Sequence, residues 1–170
     1  MLETGLVSIT FRGLTPPEIV EAAVKAGLGG IEWGGDVHVP PGEARTASLV
    51  RGLTEDAGLK VFAYGSYYRA GRGGKAAFEK VLGSALLLGA PVIRIWASDQ
   101  GSAKLGEAEW AQLVKDTRQI ADMAAARGIA LSFECHPNTA TDDYPAALRL
   151  LRAVGRENGY YYRNDGTLTL

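Results

Sequence analysis

The sequence predicts a parallel α/β fold, a partial (β/α)8 TIM-type barrel with five to six parallel strands and outer helices. Three observations predict it. Short β-prone runs recur along the chain, and a stretch with helical periodicity separates each from the next. Each helical stretch closes on a glycine, at Gly27, Gly58, Gly89, Gly128 and Gly155, in steps of 31, 31, 39 and 27 residues. Such steps match one βα unit, and glycine suits the left-handed position that ends a helix. Strands alternating with helices imply parallel pairing through right-handed crossovers.

The elements follow in order. Leu6–Thr10 is the first β-prone run. Thr15-Pro16-Pro17-Glu18 starts the first helix, with a threonine cap, proline in the first turn and a glutamate three residues after the cap. Gly30–Trp33, Lys60–Tyr64, Val92–Trp96 and Ala130–Glu134 are the next four strands, and Tyr160–Arg163 is a weaker sixth. In the longest helix Trp110, Leu113, Val114, Thr117, Ile120, Ala121 and Ala124 draw one apolar stripe at helical spacing. The fifth helix is expected to begin near Thr139 or Thr141 and to carry Leu148, Leu151 and Val154 on one face.

Parity within the strands favours a barrel over an open sheet. Ser8, Thr10, Glu32, Tyr64, Arg94, Trp96, Ser132 and Glu134 fall on one face, and Val7, Ile9, Ile31, Ile93, Ile95, Leu131 and Phe133 on the other. An open parallel sheet covered on both sides reads apolar on both faces. A barrel is apolar under its helices and carries its chemistry at the C-terminal mouth of the lumen. No Gly-x-Gly-x-x-Gly follows the first strand, which argues against a dinucleotide fold.

Composition narrows the class further. With 46% hydrophobic and 22% charged residues the chain reads as globular. Its 18 basic and 19 acidic residues give a net charge of -1, so no nucleic-acid or membrane-surface partner is expected. The single cysteine, Cys135, suits a reducing compartment and reads as a small core residue rather than a nucleophile. No apolar run approaches the ~18 residues of a membrane span, and the N-terminus has no signal-peptide pattern. The expectation is a cytoplasmic protein.

Four phrases point to a family. Ala26-Gly27-Leu28-Gly29-Gly30-Ile31-Glu32-Trp33 resembles the second-strand signature of xylose-isomerase-like barrels, the sugar phosphate isomerases and epimerases among them. Ala57-Gly58-Leu59-Lys60-Val61 and Leu88-Gly89-Ala90-Pro91-Val92-Ile93-Arg94 resemble the entries to their third and fourth strands. Ile129-Ala130-Leu131-Ser132-Phe133-Glu134-Cys135-His136-Pro137 resembles the fifth, with its E-x-H pattern. The resemblance covers Leu6 to Val154 and specifies no substrate.

It implies a sugar isomerase or epimerase acting on a small ketose or polyol by metal-assisted proton transfer. The metal, Mn²⁺, Mg²⁺ or similar, sits at the mouth on carboxylate and histidine ligands. Glu134 matches the first ligand and is the candidate catalytic and metal-binding residue. Asp165 is the one residue placed to follow a sixth strand, in a poor match to the family pattern. An incomplete metal site is therefore expected. The alternatives are an incomplete barrel that at most binds small polyols and, behind it, an apurinic-site endonuclease-like protein.

Each candidate has two readings. Glu134 is a metal ligand or the partner of Arg94 in an ion pair. Glu32 binds a substrate hydroxyl or forms a structural salt bridge. His38 is a substrate contact in the loop after the second strand or a surface histidine on a turn. His136 shares Glu134's parity as a substrate contact or a group bonded to a carboxylate. Tyr64, Arg94 and Trp96 offer an aromatic and cationic rim for a polyol. Tyr67 and Tyr68 read as loop packing, and Ala70-Gly71-Arg72-Gly73-Gly74-Lys75 as a surface loop rather than a phosphate nest.

Such a barrel takes about 250 residues, and this chain has 170. Residues 1–157 are read as the partial barrel and 158–170 as an atypical tail, with Asn164-Asp165-Gly166 as a hairpin turn. Open edge strands invite pairing. The expectation is therefore a homodimer that pairs or packs these edges, with a tail folded across the gap or a stable remnant of a longer chain as the alternatives.

Overall fold

The computed structural model describes residues 3–162. They form one six-stranded sheet of parallel strands in the order β1-β2-β3-β4-β5-β6. The elements are β1 (Gly5–Val7), α1 (Pro16–Lys25), β2 (Gly30–Gly34), α2 (Ala44–Asp56), β3 (Lys60–Ala70), α3 (Gly74–Leu88), β4 (Val92–Ala97), α4 (Glu107–Ala125), β5 (Ala130–Glu134), α5 (Tyr144–Val154) and β6 (Gly159–Tyr162). Sequential order with a helix in every crossover is the singly wound topology of a (β/α) barrel, unlike the reversing order of a doubly wound sheet. Among the described residues no helix is long and apolar enough to cross a membrane.

All five glycines that close the repeats lie in the left-handed region, with φ of 67°, 75°, 75°, 70° and 59° in chain order. The glutamate half of the α1 capping box forms: the Thr15 backbone N–H and hydroxyl both donate to the Glu18 carboxylate, each at 2.7 Å. These bonds hold the Glu18 carboxyl below the usual range. On α4 Leu113, Val114, Thr117, Ile120, Ala121 and Ala124 are buried, and Trp110 is half-buried at the edge of that stripe. Burying each large apolar side chain contributes roughly 1.5–3 kcal/mol.

Four expectations change. The first strand stops at Val7, and Ser8–Phe11 turn into a 3-10 helix. There the Ser8 hydroxyl accepts from the Gly34 N–H at 2.8 Å, so a side chain takes the place of further ladder bonds. A residue larger than glycine at 34 would put its Cβ 2.2 Å from Ile9. The third strand runs on to Ala70, bringing Tyr67 and Tyr68 into the sheet. The fifth helix starts at Tyr144, because the Asp143 carboxylate caps it, accepting from the Ala146 N–H at 2.7 Å. Its buried positions are Ala147, Leu150 and Val154.

The fourth change concerns parity. β2 and β3 pair Ile31 with Val61 but Glu32 with Ala63, so one residue, Phe62, is extra on β3. A β-bulge of this kind moves every later side chain to the opposite face. Trp33 therefore pairs with Tyr64, and the two share a face away from Glu32. The Phe62 ring lies over Gly5 and Gly30, where an added Cβ would come within 2.6 Å of it.

The chain comprises two compact units, Met1–Tyr67 with Glu79–Ile93, and Tyr68–Phe78 with Arg94–Leu170. β6 pairs with β5 in parallel, Glu134 opposite Tyr162. The expected turn at Asn164-Asp165-Gly166 and the candidate ligand Asp165 lie outside the described residues.

Candidate functional site

In the second unit four of the predicted residues meet. Arg94 and Trp96, two apart on β4, project on one face, and both reach Glu134 at the end of β5. The Arg94 guanidinium ion-pairs with Glu134 Oε2, both side chains nearly excluded from solvent. The Trp96 indole N–H donates to the same oxygen at 2.6 Å. A carboxylate this deeply buried requires such partners.

His136, two residues beyond Glu134, stacks on the Trp96 ring at 4.8 Å between centroids and 39° between planes. Its Nδ1 lies 2.8 Å from the Pro137 carbonyl oxygen. A carbonyl only accepts, so Nδ1 carries a hydrogen, and in the neutral ring the lone pair is then on Nε2.

The loop that follows is fastened from below. The Thr141 hydroxyl donates to the Glu134 carbonyl at 2.9 Å, Thr139 donates to the His136 carbonyl at 2.8 Å, and the Ala140 N–H donates to Ala97 at 2.7 Å. The Ser102 N–H adds a bond to Asp142 at 3.0 Å.

Sequence reasoning passed over one member of this cluster. The Arg69 guanidinium lies 4.2 Å from the Trp96 ring centroid and donates to the Ser98 carbonyl at 3.1 Å. Only its two-residue spacing from Tyr67 on an extended β3 could have drawn attention to it. Ser98 and Asn138 adopt left-handed φ of 62° and 61°, just past the ends of β4 and β5. Strained backbone of this kind clusters at functional sites.

The Arg72 segment is a tied surface turn, Arg72 meeting Asp99 at 2.7 Å and Glu109 at 3.3 Å. Those carboxyls are held below their usual range, Asp99 chiefly by the Arg72 bond and Glu109 chiefly by the Gly106 N–H. Burial and the nearby Asp116 push the Tyr68 phenol up to about 12, and its hydroxyl donates to Gly74 at 3.1 Å. A groove of about 940 Å³ runs along α4 beside Trp110, Arg118 and Ala153 and contains none of the candidate site residues.

In the first unit the predicted residues are placed differently. His38 is only 4% exposed. Its Nδ1 lies 2.9 Å from the Ser8 hydroxyl and its Nε2 3.2 Å from the Leu14 carbonyl. Ser8 already accepts from Gly34, so it donates to Nδ1, and Nε2–H donates to Leu14. Both ring nitrogens are thus engaged inside the protein, where the sequence suggested a loop histidine open to substrate.

Tyr64 is likewise corrected from the polyol rim to the packed face. It is fully buried, its hydroxyl donates to the Val39 carbonyl at 2.7 Å, and burial drives its phenol well above the usual value. Trp33, on the same face, donates to Thr54 of α2 at 3.1 Å. Glu32 is buried on the opposite face of β2 and has an interaction partner. Nearer the surface Arg12 ion-pairs with Asp36 and donates to the Tyr67 hydroxyl at 2.9 Å. Tyr67 holds a left-handed φ of 58°.

Among the described residues no group of three or more His, Cys, Asp or Glu is arranged to hold a metal ion. Glu134, the expected ligand, meets two N–H donors at Oε2. A hard cation needs about six oxygens or waters. The described residues do not make a metal site by themselves.

A sequential, wholly parallel β/α sheet with a buried carboxylate and a histidine following β5 defines a class of barrel proteins with chemistry at the strand ends. The xylose isomerase-like TIM barrel model matches residues 20–160, and the chain belongs to that family. Among curated proteins it is 28% identical over 168 residues to 3-dehydroshikimate dehydratase from Bacillus anthracis, covering 92% of this chain and 59% of that protein. A crystal structure described as a probable 3-DHS dehydratase from the same organism superposes with a TM-score of 0.81 at 25% identity, over 95% of this chain and 62% of that one. D-allulose 3-epimerase from Methylomonas sp. gives a TM-score of 0.75 at 17% identity, over 95% and 62% of the two chains, a likeness of fold alone. The chain thus spans about three-fifths of the length of these relatives.

Proposed function

We propose that this chain carries the proton-transfer half of an enzyme that dehydrates a small, ring-shaped hydroxy-ketone of the 3-dehydroshikimate type. One observation carries the reading. Two residues after a buried glutamate that accepts from Arg94 and Trp96 stands a histidine whose Nδ1 donates to a carbonyl, which in the neutral ring leaves Nε2 as the base.

In this reading His136 Nε2 takes the proton from the carbon next to the carbonyl, and the electron pair moves into an enolate. The same imidazolium then gives its proton to the hydroxyl on the next carbon, which leaves as water. The Glu134 carboxylate, held between Arg94 and Trp96, offsets the charge that His136 gains. The relative 28% identical over 92% of this chain supports the dehydratase reading. A single base beside Glu134 also suits elimination, where one group can remove and return the proton. Epimerisation needs proton delivery from the opposite face.

The sugar isomerase or epimerase reading keeps the same first step on an open-chain ketose. The divalent metal implied by the family resemblance would need ligands besides Glu134.

The test is an assay of the 170-residue chain on 3-dehydroshikimate, with D-fructose in parallel and Mn²⁺ present or absent. Loss of water from 3-dehydroshikimate gives 3,4-dihydroxybenzoate, whose aromatic absorbance reports turnover. Appearance of that product supports the proposal. Epimerised fructose without it would overturn the dehydratase reading in favour of the sugar reading, and no turnover of either would favour an incomplete barrel that only binds.

A further inference from the structure

Trp96 has more contacts than a substrate wall requires. An aromatic wall for a polyol offers a bare ring face. The Trp96 ring instead meets the Arg69 guanidinium at 4.2 Å and the His136 imidazole at 4.8 Å. Its edge donates to Glu134 Oε2 at 2.6 Å. An indole N–H only donates, so the Glu134 oxygen it meets must accept, and the bond fixes the rotamer of that side chain. The electron-rich ring face attracts a guanidinium, and Arg69 is itself tied to the Ser98 carbonyl at 3.1 Å. The strained Ser98, with φ of 62°, turns that carbonyl where Arg69 can reach it.

We infer that Trp96 is the positioning residue of the Glu134–His136 pair: its N–H sets the carboxylate, its ring seats the imidazole, and Arg69 holds the ring in place. The inference rests on reading His136 as the proton-transfer group and Glu134 as the carboxylate that offsets its charge. It assigns Trp96 no contact with substrate.

Two substitutions separate the two roles. Trp96→Phe keeps an aromatic seat and removes the donor. Trp96→Leu removes both. For whichever substrate the wild-type chain turns over, Trp96→Phe lowers kcat by about 10- to 100-fold, the usual effect of losing a group that orients another. KM stays within roughly threefold, because uniform binding is untouched. A rise in KM with kcat unchanged would make Trp96 a substrate wall and overturn the inference.

NMR reads the same contacts without turnover, because the chain has 3 tryptophans and 2 histidines. Glu134→Gln is expected to move one indole N–H signal upfield, since a bond to an anion becomes one to a neutral amide. That signal is the one missing from Trp96→Phe. In Trp96→Leu the His136 ring signals move while those of His38 stay. Indole signals that ignore Glu134→Gln, or His136 signals that ignore Trp96→Leu, would overturn the inference even if no substrate is found. If Trp96→Leu does not fold, the Glu134→Gln and Trp96→Phe spectra still decide it. Failure of every substrate with these shifts intact would count against the proposed reaction alone.

Discussion

The two histidines of this chain each follow a strand by a few residues, yet their surroundings differ sharply. His38, after β2, is buried, with both ring nitrogens bonded to neutral partners, Ser8 and Leu14. His136, after β5, is half-buried, bonded through Nδ1 to its neighbour's carbonyl and stacked on an indole. The first ring closes a scaffold joining three segments. The second has one nitrogen held and one basic. A histidine's place at a strand end therefore does not set its role. The polar groups around its two nitrogens do.

Substitutions can break or sharpen that contrast. His136→Asn is expected to cost turnover of the active substrate by about 10²- to 10⁴-fold, the range for losing a general base. Its stability should stay within about 0.5 kcal/mol of wild type in urea unfolding. A stability loss as large as the activity loss would place His136 in the scaffold too.

Glu134→Ala leaves the Arg94 charge buried, and breaking such a pair destabilises by about 3–5 kcal/mol. Urea unfolding of Glu134→Ala, Arg94→Met and the double variant reads this directly. The double variant should recover part of the loss. Full additivity would show that the pair is not coupled.

His38→Ala removes the acceptor of the Ser8 hydroxyl hydrogen and the donor to the Leu14 carbonyl, a cost of about 1–3 kcal/mol. The folded fraction should keep near-normal kcat. A kcat collapse in folded His38→Ala would erase the contrast between the two rings.

Asp143→Ala removes the α5 cap and should cost about 1 kcal/mol with no change in kcat, a measure of purely local damage in the site's own unit.

The smallest effect is at the exposed Asp122–Arg156 pair. Arg156 holds the Asp122 carboxyl below its usual range, so the pair stabilises above the unfolded carboxyl value, about pH 4, and the benefit fades as pH falls through the folded value. The stability difference between wild type and Arg156→Gln should therefore shrink towards zero in acid. A difference that persists at low pH would point to packing rather than charge.

Much of the fold was legible in the chain. The glycine repeat marked every helix end because left-handed φ is a local demand that few other residues meet. The α1 cap and the α4 stripe were equally local. In the second unit, Arg94, Trp96, Glu134 and His136 kept the shared face that alternation assigned them. Alternation failed where pairing intervened. Tyr64 left its expected face because Phe62 bulges against β2, and Glu32 stayed behind. Thr10 left the first strand because Ser8 bonds to Gly34 and His38.

The amino-acid sequence by itself determined the kind, number and order of the elements. Helix ends, caps and apolar stripes depend on residues a few positions apart. It also marked the stretch from Ser132 to His136 as chemically loaded. Tertiary structure alone decided which polar groups face each other. The bulge that turns Tyr64 to the packed face, the serine that engages His38 and the indole that joins Arg69 to His136 all link residues 27 or more positions apart. Such pairings depend on register and on close packing, which no local pattern encodes.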